Sequence, residues 1–137
     1  MNNRGVTLIE CVTAILLMGM LITAMVYSFA TARMYAAYAR HSYTAINFAR
    51  ESMESITQAG ITVGDSAPSD ESVVIDPRTT ASGDELYGTM SHKYSINATS
   101  LTAYVTVEVA WTEGFWQAVA KKESIACYLN AQAAAGG

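Results

Sequence analysis

From Val6 to Val26 the chain runs 21 residues with one charge, Glu10. At the helical rise of about 1.5 Å per residue such a run is about 30 Å long, the thickness of a bilayer's hydrocarbon core. The run commits the N-terminal part of the chain to an apolar environment before any other feature is considered. A carboxylate within hydrocarbon costs about 3 kcal/mol near a helix centre even on lenient scales, so such groups usually have a partner and a function. The surrounding sequence, Arg4-Gly5-Val6-Thr7-Leu8-Ile9-Glu10, combines a cation, a small residue, the start of the run and one acid.

Charge divides the remainder. The chain carries 8 basic and 12 acidic residues, a formal net charge of −4. Through Gly60 there are four Arg and three Glu; from Ile61 onward four cations face nine acids. An acidic exposed half opposes phosphate-backbone binding, which needs clustered Lys and Arg, so no nucleic-acid partner is expected. The two cysteines, Cys11 and Cys127, read first as small buried apolar residues. An intermolecular disulfide or a lipidated Cys11 is the other reading.

The N-terminus admits three readings. A cleaved secretory signal needs a shorter apolar stretch and a small-x-small site, for example near Ala30 and Ala32, and Glu10 would disrupt it. A plain membrane anchor accounts for the length and leaves Glu10 unexplained. In the third reading, residues Gly5 to Glu10 resemble the processing site of type IV prepilins and type II secretion prepseudopilins. There a short basic leader ends in Gly, a membrane peptidase cuts after it and methylates the new N-terminus, and the fifth mature residue is Glu. The resemblance implies cleavage after Gly5, N-methylation of Val6 and a role for Glu10 in assembly. Val6 departs from the Phe or Met usual there. Gly19 fits a glycine common in that helix, and the helix-kinking Pro often found after it is absent.

The chemistry agrees with that implication. A free ammonium at Val6 and the Glu10 carboxylate are each costly alone in an apolar core. In the family, Glu of one subunit meets the N-terminus of a neighbour. A buried pair of this kind adds little net stability but specifies register, because a misplaced subunit leaves both charges unpaired.

No Pro occurs before Pro68, and Gly19 is the only Gly from Val6 to Ala59. Ala, Leu, Met, Arg and Glu dominate, so one helix is expected over Val6–Ala59, about 80 Å long. Residues 6–26 are its transmembrane half and 27–60 its amphipathic half. Tyr38, Ala45, Ala49, Met53 and Ile56 form a stripe at helical spacing, and Gly60 is a natural C-cap. Residues 61–85 read as an acidic polar loop region with a short strand at Ser72–Ile75. Its acids, Asp65, Asp70, Glu71, Asp76, Asp84 and Glu85, read as a solvated loop more readily than as a Ca²⁺ site, since EF-hand spacing is missing.

Residues 86–130 alternate. Lys93–Asn97, Tyr104–Trp111 and Ser124–Leu129 read as strands, with Val105, Val107, Val109 and Trp111 on one face and a turn at Glu113-Gly114. These form an antiparallel sheet of three or four strands whose apolar face covers the helix stripe. Residues 131–137, nearly all Ala and Gly, read as a frayed tail. The fold class is α+β: one long N-terminal helix packed on a small antiparallel β-sheet. That layout also resembles the pilin fold, most closely that of minor pilins and minor pseudopilins. The C-terminal disulfide loop frequent in the family is missing, because Cys127 has no nearby partner.

His41 and His92 lack ligand-like spacing and read as surface or packing residues. No catalytic constellation, nucleotide motif, metal site or cofactor site is evident, so neither enzymatic activity nor a cofactor is expected. The resemblance implies a filament subunit of a type IV pilus, or a minor pseudopilin of a type II secretion system. Its implied partners are prepilin peptidase, other pilin or pseudopilin subunits, an inner-membrane assembly platform and membrane lipid. It would be a single-pass inner-membrane protein, its C-terminal domain outside the cytoplasm, before entering the filament. The competing class is an unprocessed single-span protein whose external domain binds a ligand.

Overall fold

The computed structural model describes residues 7–77, 85–113 and 118–133. One helix, α1 (Leu8–Ala59), precedes five strands: β1 (Ile61–Thr62), β2 (Glu71–Asp76), β3 (Leu86–Asn97), β4 (Thr102–Glu113) and β5 (Val119–Gln132). The chain divides into two compact units, residues 1–39 and 40–137.

The first unit is helix alone. Helix α1 is long and apolar enough to cross a membrane, and no residue of its most apolar window is buried. The hydroxyls of Thr13, Thr23 and Thr31 donate to the carbonyls of Glu10, Gly19 and Tyr27, at 3.0, 2.9 and 2.8 Å. Bonding back to the preceding turn removes the cost of placing a hydroxyl in hydrocarbon.

The second unit packs the rest of the helix on the sheet. Its buried helix residues are His41, Ala45, Ala49, Met53 and Ile56. The expected stripe is recovered except at its start, where Tyr38 is half-buried and His41 leads the buried seam. Ala45 and Ala49 are fully buried, and their small side chains allow close approach to the sheet. Facing them are Val105, Val107, Val109 and Trp111, the predicted face of β4, with Val73, Ile75 and Met90 from β2 and β3. Gly88 sits where no side chain fits easily: a Cβ there would lie 3.0 Å from the Ile75 side chain and 3.1 Å from the Ala110 carbonyl.

The sheet order is β1-β5-β4-β3-β2. The β3–β4 and β4–β5 pairings are antiparallel and nearly full length, from Gly88↔Trp111 to Asn97↔Thr102 and from Thr102↔Asn130 to Glu113↔Val119. Asn97 caps the first hairpin turn by accepting from the Thr99 and Ser100 N–H groups at 2.9 and 3.1 Å.

The sheet is mixed, which corrects the purely antiparallel expectation. β1 pairs parallel with the end of β5, Ile61 opposite Ala131 and Thr62 opposite Gln132. The cause is local. Gly60 caps the helix at φ +76°, a left-handed conformation, and turns the chain straight into the sheet, where Ile61 becomes buried. The same stitch orders the start of the expected tail. The Ala131 N–H donates to Leu101 at 2.8 Å, and the Val63 N–H donates to Gln132 at 2.9 Å. The region expected as loop thus contributes two strands, one of them the anticipated β2. Asp65 serves its turn: its side chain accepts from the Thr62 N–H at 2.7 Å, beside Gly64 at φ +109°.

Candidate functional site

Gly5 and Val6, the residues implied in processing, lie outside the described residues, as does Asp84. Glu10 is described and exposed, in the first turn of α1. Thr7 precedes the helix. Its carbonyl accepts from the Glu10 N–H at 3.0 Å and its hydroxyl does so at 3.4 Å. Thr7-Leu8-Ile9-Glu10 is therefore a capping-box sequence with one of its two bonds formed. A carboxylate here also faces the positive end of the helix dipole. Among the described residues no cation or side-chain donor meets the Glu10 carboxylate. Cys11 is a free, exposed thiol.

The rest of the first unit presents apolar surface. Leu8, Ile9, Ile15, Met18, Leu21 and Met25 are each more than 60 % exposed. Past Val26 the exposed side chains become aromatic, with Tyr27, Phe29 and Tyr35, and the Arg33 guanidinium lies 5.5 Å from the Phe29 ring centre. Amphipathic aromatics and a cation are the side chains that suit a membrane–water interface.

In the second unit a polar cluster joins α1 to two strands. His41 is fully buried between two carboxylates: its Nε2 is 2.9 Å from Asp76 Oδ2 and its Nδ1 is 2.9 Å from Glu113 Oε1. Arg40 donates to the same Asp76 oxygen at 2.8 Å, and the Trp111 indole donates to Glu113 at 3.2 Å. Two carboxylates offer only acceptors, so this geometry is satisfied when His41 carries both ring protons or when one carboxyl keeps a proton. A buried cluster of this kind fixes the position of a helix on a sheet more than it adds net stability.

Sequence reasoning left His41 as a surface or packing residue. Its spacing carried a signal: 41, 45, 49 and 53 recur every fourth residue, which puts a histidine in line with the apolar seam. Asp76 had no such signal. A register shift between Val74 and Asp76 turns both Ile75 and Asp76 inward, against the alternation of an ideal strand.

His92 makes a second polar link. Its Nε2 lies 2.8 Å from the Ser52 hydroxyl, while its Nδ1 is buried and meets no partner among the described residues. A serine–imidazole pair suggests nucleophilic chemistry, but the orienting acceptor that such pairs use is missing here. Cys127, half-buried, places its thiol 3.2 Å from the Met53 sulfur. Among the described residues no group of three His, Cys, Asp or Glu side chains is placed to hold a metal ion. Burial and the nearby charge of Asp65 raise the pKa of the Tyr94 phenol.

Comparison with protein-family models, with curated proteins and with solved structures returned no match. The reading of function therefore rests on the chain's own residues.

Proposed function

We propose that this chain is a structural subunit of a type IV pilus or a related filament, most like a minor pilin, processed after Gly5 and assembled through its N-terminal helix. The observation that carries the proposal is one spacing. Glu10 is the fifth residue after the Gly5–Val6 bond and the only charge in the apolar run. The exposed apolar surface from Leu8 to Val26 supports it, since that surface needs lipid before assembly and other subunits afterwards. In the assembled state the Glu10 carboxylate meets the methylated ammonium of Val6 from a neighbouring copy. The partners are then prepilin peptidase, other filament subunits, an inner-membrane assembly platform and lipid. A minor pseudopilin of a type II secretion system satisfies the same residues, and the two differ in the machine served.

One observation favours a second reading. A carboxylate in the first turn of α1 is stabilised by the positive end of the helix dipole, so an unprocessed single-span protein with an external binding domain needs no partner for Glu10. Mass spectrometry of the mature N-terminus separates the two. The filament reading expects a chain that begins at Val6 and carries one added methyl group. An intact Met1, or a cut near Ala30, overturns it.

A further inference from the structure

Where α1 ends, the second unit holds a polar cleft of about 370 Å³, whose lining includes Ser55, Ile56, Gly60, Asp65, Ser66 and Tyr94. Its electrostatics point one way. The Gly60 N–H reaches the Ile56 carbonyl, and α1 has no basic residue in its last turn, so the negative end of the helix dipole lies at this cleft without a cation of its own. Asp65 adds a carboxylate whose one partner among the described residues is the Thr62 N–H. Burial, and after it the Asp65 charge, raise the Tyr94 phenol above the usual tyrosine range. No Lys, Arg or His is among the residues that line the cleft. Helix-end carbonyls, a carboxylate and an aromatic ring together suit an ammonium group.

We propose that this cleft takes the Lys93 ammonium of a second copy of the chain, so that the outer face of one sheet lies against the helix of the next. Charge and level select Lys93 among the described cations. Arg40 and Lys122 are held by Asp76 and Glu108, Lys121 is already partnered, and Arg33 lies over the Phe29 ring. Arg50 stands on α1 itself, in a groove beside Glu54 and Ile125. Lys93 is exposed and has no ion pair among the described residues. On the β3–β4 ladder Lys93 pairs with Thr106, and Tyr94 pairs with the buried Val105. Successive strand residues point to opposite faces, so Lys93 and the cleft stand at one level on opposite sides of the sheet. A copy set in the same orientation against the helix side therefore brings its Lys93 to Asp65 with little axial shift. The two faces also complement each other beyond that pair. On the helix side Glu51 and Glu54 are exposed and in no ion pair among the described residues. Around Lys93 the side chains of Ser91, Ser95 and Thr106 are small, which lets the faces approach. Two different patches meet, so the contact propagates from copy to copy instead of closing as a pair. It rests on the filament reading only for the common orientation of the copies.

Carbodiimide coupling, which joins a carboxylate to an amine in direct contact, tests this in membranes that contain the full-length chain. Mass spectrometry of the covalent oligomers should find Asp65 joined to Lys93. Lys93→Gln, at an exposed position, should remove that link while the domain stays folded by circular dichroism. Asp65→Asn alone should remove it too. The two variants co-expressed should give linked dimers only, and every Asp65–Lys93 link there lies between copies. Exchanging the charges, Asp65→Lys with Lys93→Asp, should restore the longer oligomers. Absence of the link from the folded wild-type chain would overturn the proposal. So would its absence from the co-expressed pair, since the wild-type link would then lie within single chains. A missing link between chains that begin at Val6 sinks the contact and leaves the filament reading standing. A link between uncut chains does the reverse.

Discussion

Along one uninterrupted helix, nothing from Leu8 to Ala39 is buried, while His41, Ala45, Ala49, Met53 and Ile56 all are. The second stretch has its partner in the same chain: small and apolar residues at fourfold spacing meet the alternating face of β4. The first is more apolar, and its most apolar window has no buried residue among those described. The contrast separates two kinds of hydrophobic pattern. A stripe on one face specifies a packing partner within the domain, whereas a helix apolar all round specifies an environment, either lipid or other helices. Polar groups follow the same division. In the second stretch His41 meets Asp76 and Glu113 of the same chain. In the first, Glu10 donates its backbone N–H to Thr7, and among the described residues no side-chain donor meets its carboxylate.

Substitutions in the two stretches should diverge. The largest effect is expected at His41. Replacing it with Ala removes the imidazole that bridges the Asp76 and Glu113 carboxylates, which keep Arg40 and the Trp111 indole as donors, and should cost about 3–5 kcal/mol in chemical unfolding of the detergent-solubilised chain. His41→Leu combined with Asp76→Asn and Glu113→Gln should recover most of that loss. Equal instability in the triple variant would show that the cluster's charges are not what holds the helix.

A smaller effect is expected from one substitution made in both stretches. Ala49→Leu forces extra volume between helix and sheet and should destabilise by about 1–3 kcal/mol. Ala24→Leu, on an exposed position, should leave unfolding unchanged. A matching loss at Ala24 would mean that the first stretch also packs against its own chain.

Next comes the cap. Thr7→Ala removes the hydroxyl bonded to the Glu10 N–H and should cost the first turn about 1 kcal/mol, read as faster hydrogen exchange at residues 8–10. The smallest effect is electrostatic. The Tyr94 phenol should ionise above the usual tyrosine range in an ultraviolet titration, and Asp65→Asn should lower the midpoint without abolishing the shift, because burial is its first cause. A raised folded-state pKa means that this contribution is fully present below the unfolded tyrosine value and is lost as pH climbs through the folded one.

How much was legible in the sequence follows from which physical signals are periodic. The helix, the seam from Ala45 to Ile56 and the inward face of β4 were readable, because spacings of four and two residues map directly onto faces. The position of β2 was readable as a short β-branched run. β1 was not, since two residues carry no period and their pairing depends on the Gly60 turn and on the far end of the chain. The His41 cluster was half readable: the histidine sat in line with the seam, but its acceptors come from a bulge in β2 and from the end of β4. Glu10 is the opposite case, conspicuous in sequence and nearly featureless in the single chain.

Glu10→Gln is for that reason the most direct test of the central claim. Glutamine serves a capping box as glutamate does, but it carries no charge to meet an ammonium. Incorporation into purified filaments should be lost in Glu10→Gln and at least partly kept in Glu10→Asp, with both variants still in the membrane fraction. Wild-type incorporation of Glu10→Gln would reduce Glu10 to a helix cap and contradict the account.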